Sequence, residues 1–306
     1  MSMGSAGGDD GAGRLGGVGR VDGVVGHTWG SLRAWRAEAA VPLSARMVGV
    51  LVGVSAIGVL AFAWPLLVGA GSALVGGPDG QSAAAPFVLA LVLGVSLVVM
   101  LVAVSDGGLD VRAIALLGVL SGVGAIIRPI SAGTGGVETV FILLVLAGRV
   151  FGPGFGFLLG VGTLFTSAVL TGGVGPWLPY QMLAAAWFGL GAGLLPGRGR
   201  VRGGREILLL CAYGALAAVG YGVVMNLASW PFLTGVGTGV SFVAGDGVGE
   251  NLARFFAYSI VTSLPWDLTR ALTTVIGVGA LGVPVLAVLR RGARRAVFVG
   301  DRDTPK

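Results

Sequence analysis

Four charged side chains sit close to long apolar stretches, where an ionised group is costly and rare: Arg128, Glu138, Asp267 and Arg270. Around them in the sequence stand Trp177, Tyr180, Gln181, Asn226, Trp230 and Trp266. A few polar groups among aromatic rings suit the recognition of a small amphipathic molecule. Each feature also has a plainer reading. Tryptophans near helix ends form interfacial belts. Arg128 and Glu138 bracket one short loop and could simply pair with each other. Asp267 and Arg270 are one turn apart, a spacing that often serves only the helix. Trp177 lies in the Gly- and Pro-rich loop TGGVGPWLPYQ, a setting that favours a role as ligand contact or lid.

Covalent chemistry has little to work with. There is no G-x-x-x-x-G-K-[ST], and Lys306 is the sole lysine, so no standard ATP-binding loop is encoded. There is no H-E-x-x-H motif. His27 is the one histidine and lies in a Gly-rich N-terminal stretch, and Cys211 is the one cysteine. A disulfide within the chain, a cysteine-based metal site and a Ser-His pair inside the membrane are therefore all excluded. The chain is expected to be no enzyme and to need no cofactor or metal. Energy for any uphill transport must come from another subunit.

The elements that position these residues follow from composition. Of 306 residues, 55% are hydrophobic and only 11% charged, against about 25% charged in soluble domains. Apolar windows of 18 residues or more recur, and in hydrocarbon such windows must become helices because every backbone group needs an internal partner. The expected fold is an all-α polytopic membrane protein with about eight spans. They lie near Met47–Val68, Pro86–Val104, Val111–Arg128, Thr139–Val150, Phe155–Leu170, Met182–Leu195, Ile207–Ala228 and Pro265–Leu289. Residues 1–45 read as a polar, disordered tail and 292–306 as a second tail. Leu252–Thr262 is mostly apolar but short, and reads as re-entrant or interfacial. Ser263-Leu264-Pro265 reads as a helix start.

The formal charge of +6 could suggest nucleic acid. The arginines instead flank the apolar spans, at Arg33, Arg36 and Arg46, at Arg112, at Arg149, in GRGRVRGGR, and at Arg290, Arg291, Arg294 and Arg295. By the positive-inside rule these positions are cytoplasmic. Both termini are then expected inside a cell membrane, and the polar candidates fall on the outer side. Gly118-x-x-x-Gly122 and Ser121-x-x-x-Ala125 have the small-residue spacing of close helix contacts. In a chain with 58 glycines this is a weak signal, and packing within the chain is its default meaning.

The central stretch resembles the substrate-binding S components of energy-coupling factor (ECF) vitamin transporters, most of all the actinobacterial group. The resemblance rests on IIRPISAGTGGVE, on FILLVLAGRVFGPGFGFLLGVGTLFTSAVLTGG, on GVGPWLPYQ with MLAAAWFGLGAGLLP, and on WDLTRAL. It covers about Val111–Arg291, a six-helix core, and leaves residues 46–110 as two additional helices. It implies a subunit that binds a vitamin-like small molecule from outside. Such a subunit works with a transmembrane T component and two cytoplasmic ATPases, and topples in the bilayer to deliver its cargo. It also implies that Arg128, Glu138, Trp177, Tyr180 and Gln181 line the pocket. Asn226, Trp266, Asp267 and Arg270 join them as candidates from their position alone. The family often docks its T component through Ala-x-x-x-Ala on the first core helix. Gly118 and Gly122 stand at such positions here, which is a departure. Two other classes compete: a self-sufficient secondary transporter, which should show inverted repeats and buried ion sites, and a membrane-embedded enzyme using Glu138 or Asp267 as a base.

Overall fold

The computed structural model describes residues 44–67, 85–106, 109, 111–131, 135–198, 200–232, 239–243 and 245–297. The proposed tails, apart from residues 44–45 and 292–297, and most of the loop between the first two spans lie outside the described residues. The described residues form an all-α polytopic membrane protein without strands. Its helices are α1 (Ala45–Leu67), α2 (Ala85–Ser105), α3 (Val111–Ser131), α4 (Val140–Phe151), α5 (Pro153–Thr171), α6 (Leu178–Leu194), α7 (Gly204–Ser229), α8 (Val248–Tyr258) and α9 (Leu264–Val297). The eight expected spans correspond to α1–α7 and α9.

Local sequence accounts for most helix starts and stops. Ser44 caps α1, its hydroxyl accepting the Met47 N–H at 2.9 Å. Gly152 separates α4 from α5 with φ of 109°, a backbone state that L side chains rarely adopt, and Pro153 then opens α5 in its first turn. Five described helical stretches are long and apolar enough to cross a bilayer: α1, α3, α5, α7 and the continuous run of α8 into α9. From Arg270 to Arg290 along α9 the rise is about 30 Å, the thickness of the hydrocarbon layer. No charged residue lies between them.

One boundary differs from expectation. Leu252–Thr262 is not a separate piece of chain but part of a continuous helical run. It spans the end of α8, to Tyr258, and most of a single π-helical turn, Ser259–Ser263, which leads straight into α9. The expected helix start at Ser263-Leu264-Pro265 falls where α9 begins, at Leu264, followed directly by Pro265. Pro265 sits in the first turn of α9, where the missing N–H is tolerated because the wide turn before it has already displaced the regular hydrogen-bond ladder.

The centre of the bundle is α4. At 12 residues it is only about 18 Å long, yet Val140, Phe141 and every residue from Leu144 to Phe151 are buried. It meets protein on nearly all sides, so its length need not match the bilayer. Its neighbours are α6, α9 and α5. The tightest seams use small residues. A Cβ on Gly156 of α5 would run into the Gly189 carbonyl of α6, and one on Gly189 would run into Gly156. Gly160 abuts the Ala185 backbone, Gly148 the Gly189 carbonyl, and Gly193 the start of α5. Close backbone approach of this kind is a main source of helix affinity in lipid.

Gly118 and Gly122 do not take part. A Cβ at either would meet nothing within 4 Å among the described residues, so the default reading of that pair as packing within the chain is corrected. The neighbouring pair does pack inward: Ser121 and Ala125 are buried, with Ser121 against Gly162.

The two additional helices join the same core. Phe62 of α1 meets Tyr180 and Trp187 of α6, each with ring centroids 5.4 Å apart. The Trp187 indole N–H donates to Ser55 Oγ at 3.1 Å. Val92, Val99 and Ala103 of α2 are buried in the same apolar cluster.

Candidate functional site

Polar side chains gather at the two ends of α4. At its N-terminal end, Arg270 of α9 is the hub. Its Nε and Nη2 both reach Glu138 Oε1, at 3.0 and 2.9 Å. Its Nη1 donates to Asp267 Oδ1 at 2.6 Å and, more distantly, to the Ala218 carbonyl at 3.5 Å. Its guanidinium lies 5.1 Å from the centre of the Tyr221 ring, a cation–π distance. Gly222 on α7 makes room for this group, since a Cβ there would collide with the Asp267 carboxylate. The cluster joins α9, α7 and Glu138, two residues before α4.

Arg128 has a different partner set. Glu138 is committed to Arg270, so the pairing of Arg128 with Glu138 across their loop does not occur. From the last turn of α3, Arg128 donates to Gln181 Oε1 of α6 at 3.1 Å and to Ser167 Oγ of α5 at 3.4 Å. Both partners are neutral. Among the described residues no carboxylate lies within 4 Å of its guanidinium. Phe141 packs edge-on against Tyr221 with centroids 4.8 Å apart, and stacks on Phe188 at 4.5 Å, so the floor of this region is aromatic.

The remaining candidates spread around this core. Tyr180 is buried against Phe62. Asn226 lies one turn beyond Gly222 on α7, and its Nδ2 is buried with no hydrogen-bond partner among the described residues. Trp177 is 51% exposed and its indole folds over Gly175. Trp266 is 48% exposed, and its backbone rests against Gly136. The structure thus brings Arg128, Gln181, Glu138, Asp267 and Arg270 to one end of the bundle, with both tryptophans at its rim. Trp230 is neither belt nor rim. It is 1% exposed, donates to the Val240 carbonyl at 2.7 Å, and packs with Phe242, Phe255 and Tyr258.

Two contributors were not anticipated. Ser167 and Tyr221 carry no charge and stand mid-helix, so nothing in the sequence marks them. The polar cluster at the other end of α4 was missed as well. There Glu206 of α7 takes Arg149 Nε at 2.9 Å and Arg290 Nη2 at 2.6 Å on both carboxylate oxygens. Arg149 also donates to the Leu195 and Pro196 carbonyls. Arg198 donates to the Gly148, Arg149 and Gly193 carbonyls. These arginines satisfy the last carbonyls of α4 and α6, where a helix leaves acceptors and partial negative charge.

Comparisons with protein-family models, with curated proteins and with solved structures return no match to this chain. The chemical reading therefore rests on the sequence and the geometry.

Proposed function

We propose that this chain is the substrate-binding subunit of an ECF-type importer. It captures a vitamin or related micronutrient at the Arg128 end of the bundle and releases it on the other side of a cell membrane. A T component and cytoplasmic ATPases would supply the energy, since the chain encodes no ATP-binding loop. With the arginine-rich loops cytoplasmic, the Arg128 end faces outward and both termini face inward.

The observation that carries this reading is the partner set of Arg128. A half-buried guanidinium held only by the neutral Gln181 and Ser167 is equipped for reversible ligand recognition. The fastening arginines take a carboxylate, as Arg149, Arg254, Arg270 and Arg290 do, or the carbonyls that end a helix, as Arg198 does; Arg128 takes neither. The resemblance of the central block to S components supports the same reading.

The test is a thermal-shift screen of the purified protein in detergent against water-soluble vitamins and their precursors. A ligand that binds only the native state raises apparent stability by mass action. One binder, together with vesicle uptake that requires the partner ATPases, is the expected result. Uptake by this chain alone in ATPase-free vesicles would establish a secondary transporter instead.

A further inference from the structure

We infer that Arg128 reads an anionic group, a carboxylate or phosphate, on the transported molecule. This deepens the binding reading above and rests on it. The end of the bundle that holds Arg128 has two arginines, Arg128 and Arg270, and two carboxylates, Glu138 and Asp267. Both carboxylates are taken by Arg270. The charge there is balanced in sum and divided in space: an ion-paired centre on α9, and a cation on α3 held by one amide oxygen and one hydroxyl. A partly buried cation with neutral partners gains most from an incoming anion, because charge-assisted bonds are about twice as strong as neutral ones. The planar guanidinium also matches the two oxygens of a carboxylate or phosphate in a fork.

The surroundings add donors and remove competitors. Gln181 meets Arg128 through Oε1, which leaves its amide nitrogen as a donor beside the guanidinium. On α5, Ser167 contacts Arg128, and one turn earlier the Thr163 hydroxyl is fully buried with no hydrogen-bond partner among the described residues. Gly124, one turn before Arg128 on α3, packs against Thr163. The α3–α5 seam is therefore polar on the α5 side and carries no acid that would repel an anion. A cationic ligand would instead be drawn to Glu138, whose Oε1 alone is used by Arg270 in this structure.

The experiment uses the full chain in nanodiscs of phosphatidylcholine and matched pairs in which one member carries an anionic group and the other a neutral replacement or none: nicotinate and nicotinamide, pantothenate and pantothenol, biotin and biotin amide, pyridoxal phosphate and pyridoxal. The expected result is that binding within a pair belongs to the anionic member. It weakens with added salt, and it falls at least tenfold in Arg128→Gln while Arg128→Lys keeps a measurable part. The wild-type pair comparison stands even if a variant fails to fold. A neutral member that binds as well as its acid, with Arg128→Gln unchanged, overturns the inference and leaves the transport reading standing. No binding by either member of any pair to the folded protein overturns both. Discrimination that disappears once phosphatidylglycerol is added shows a lipid headgroup to be the anion, and overturns the assignment to a soluble cargo.

Discussion

The two ends of α4 hold similar residues in opposite arrangements. At the Glu206 end, one acid is shared by Arg149 and Arg290, and Arg149 and Glu206 are each 1% exposed. Arg149 and Arg198 additionally satisfy the carbonyls that end α4 and α6. Every partner there belongs to the chain itself. At the Arg128 end, one arginine takes both acids and the other takes neutral groups. Glu138 stays 28% exposed, and the rim tryptophans are half exposed. The first arrangement fastens three helices. The second leaves Arg128 with neutral partners alone among the described residues, which is the capacity the proposed function assigns to cargo. Arginine content alone does not distinguish the two ends; the partners each arginine is given do.

Substitutions can break this contrast in order of size. Removing Glu206 (Glu206→Ala) leaves Arg149 buried without its counter-charge and should cost about 4 kcal/mol, in the range for a broken buried pair. The shift of the SDS-unfolding midpoint in detergent measures it. Replacing Arg149 and Glu206 together with Met and Leu should recover much of the loss, and equal damage from the single and double changes would show the pair is no fastener. Arg270→Met comes next, at about 3 kcal/mol, because Asp267 is deeply buried while Glu138 can turn to water. A loss as large as that of Glu206→Ala would mean that the two ends are equally closed.

Ser55→Ala calibrates a single neutral hydrogen bond, that of the Trp187 indole. It should cost about 1 kcal/mol and loosen α1, seen as faster hydrogen exchange near Ser55. Arg128→Gln should cost least in stability, below about 1 kcal/mol, since only neutral bonds are lost. Should its unfolding midpoint fall as far as that of Arg270→Met, Arg128 belongs to the scaffold.

The helical membrane architecture was legible because lipid leaves the backbone no alternative. Apolar runs such as Ile207–Ala228 and the arginine punctuation at Arg198–Arg205 marked the helices to within a few residues. The gathering of Arg128, Gln181, Glu138, Asp267 and Arg270 at one end was legible from topology alone. Who bonds whom was not. Glu138 lies ten residues from Arg128 and far from Arg270 in sequence, and only the docking of α9 against α4 chooses between them. Glu206 was hidden in GRGRVRGGREILL, where it reads as one more loop charge. The available signal was that it is the one acid in an arginine-rich run, placed at a helix start. The working glycines, Gly156, Gly160, Gly189 and Gly193, were lost among 58, and the pair with the familiar spacing, Gly118 and Gly122, was left facing open space among the described residues.

The π turn at Ser259–Ser263 carries a consequence for phase. Each residue of an α-helix advances the azimuth by 100°, and a π turn accommodates one extra residue without breaking the rod. The faces of α8 and α9 are thereby set independently. The α8 face with Asn251, Phe255 and Tyr258 points at Trp230 and at the strand of loop that Asn251 holds through both the N–H and the carbonyl of Val243. The α9 face with Asp267 and Arg270 points at α7 and Glu138. Deleting one residue from the turn would make the rod regular and rotate α8 by about 100°. It would carry Phe255 and Tyr258 away from Trp230 while Arg270 stayed in place. The turn works as a fixed phase offset, letting one continuous helix serve two unrelated directions.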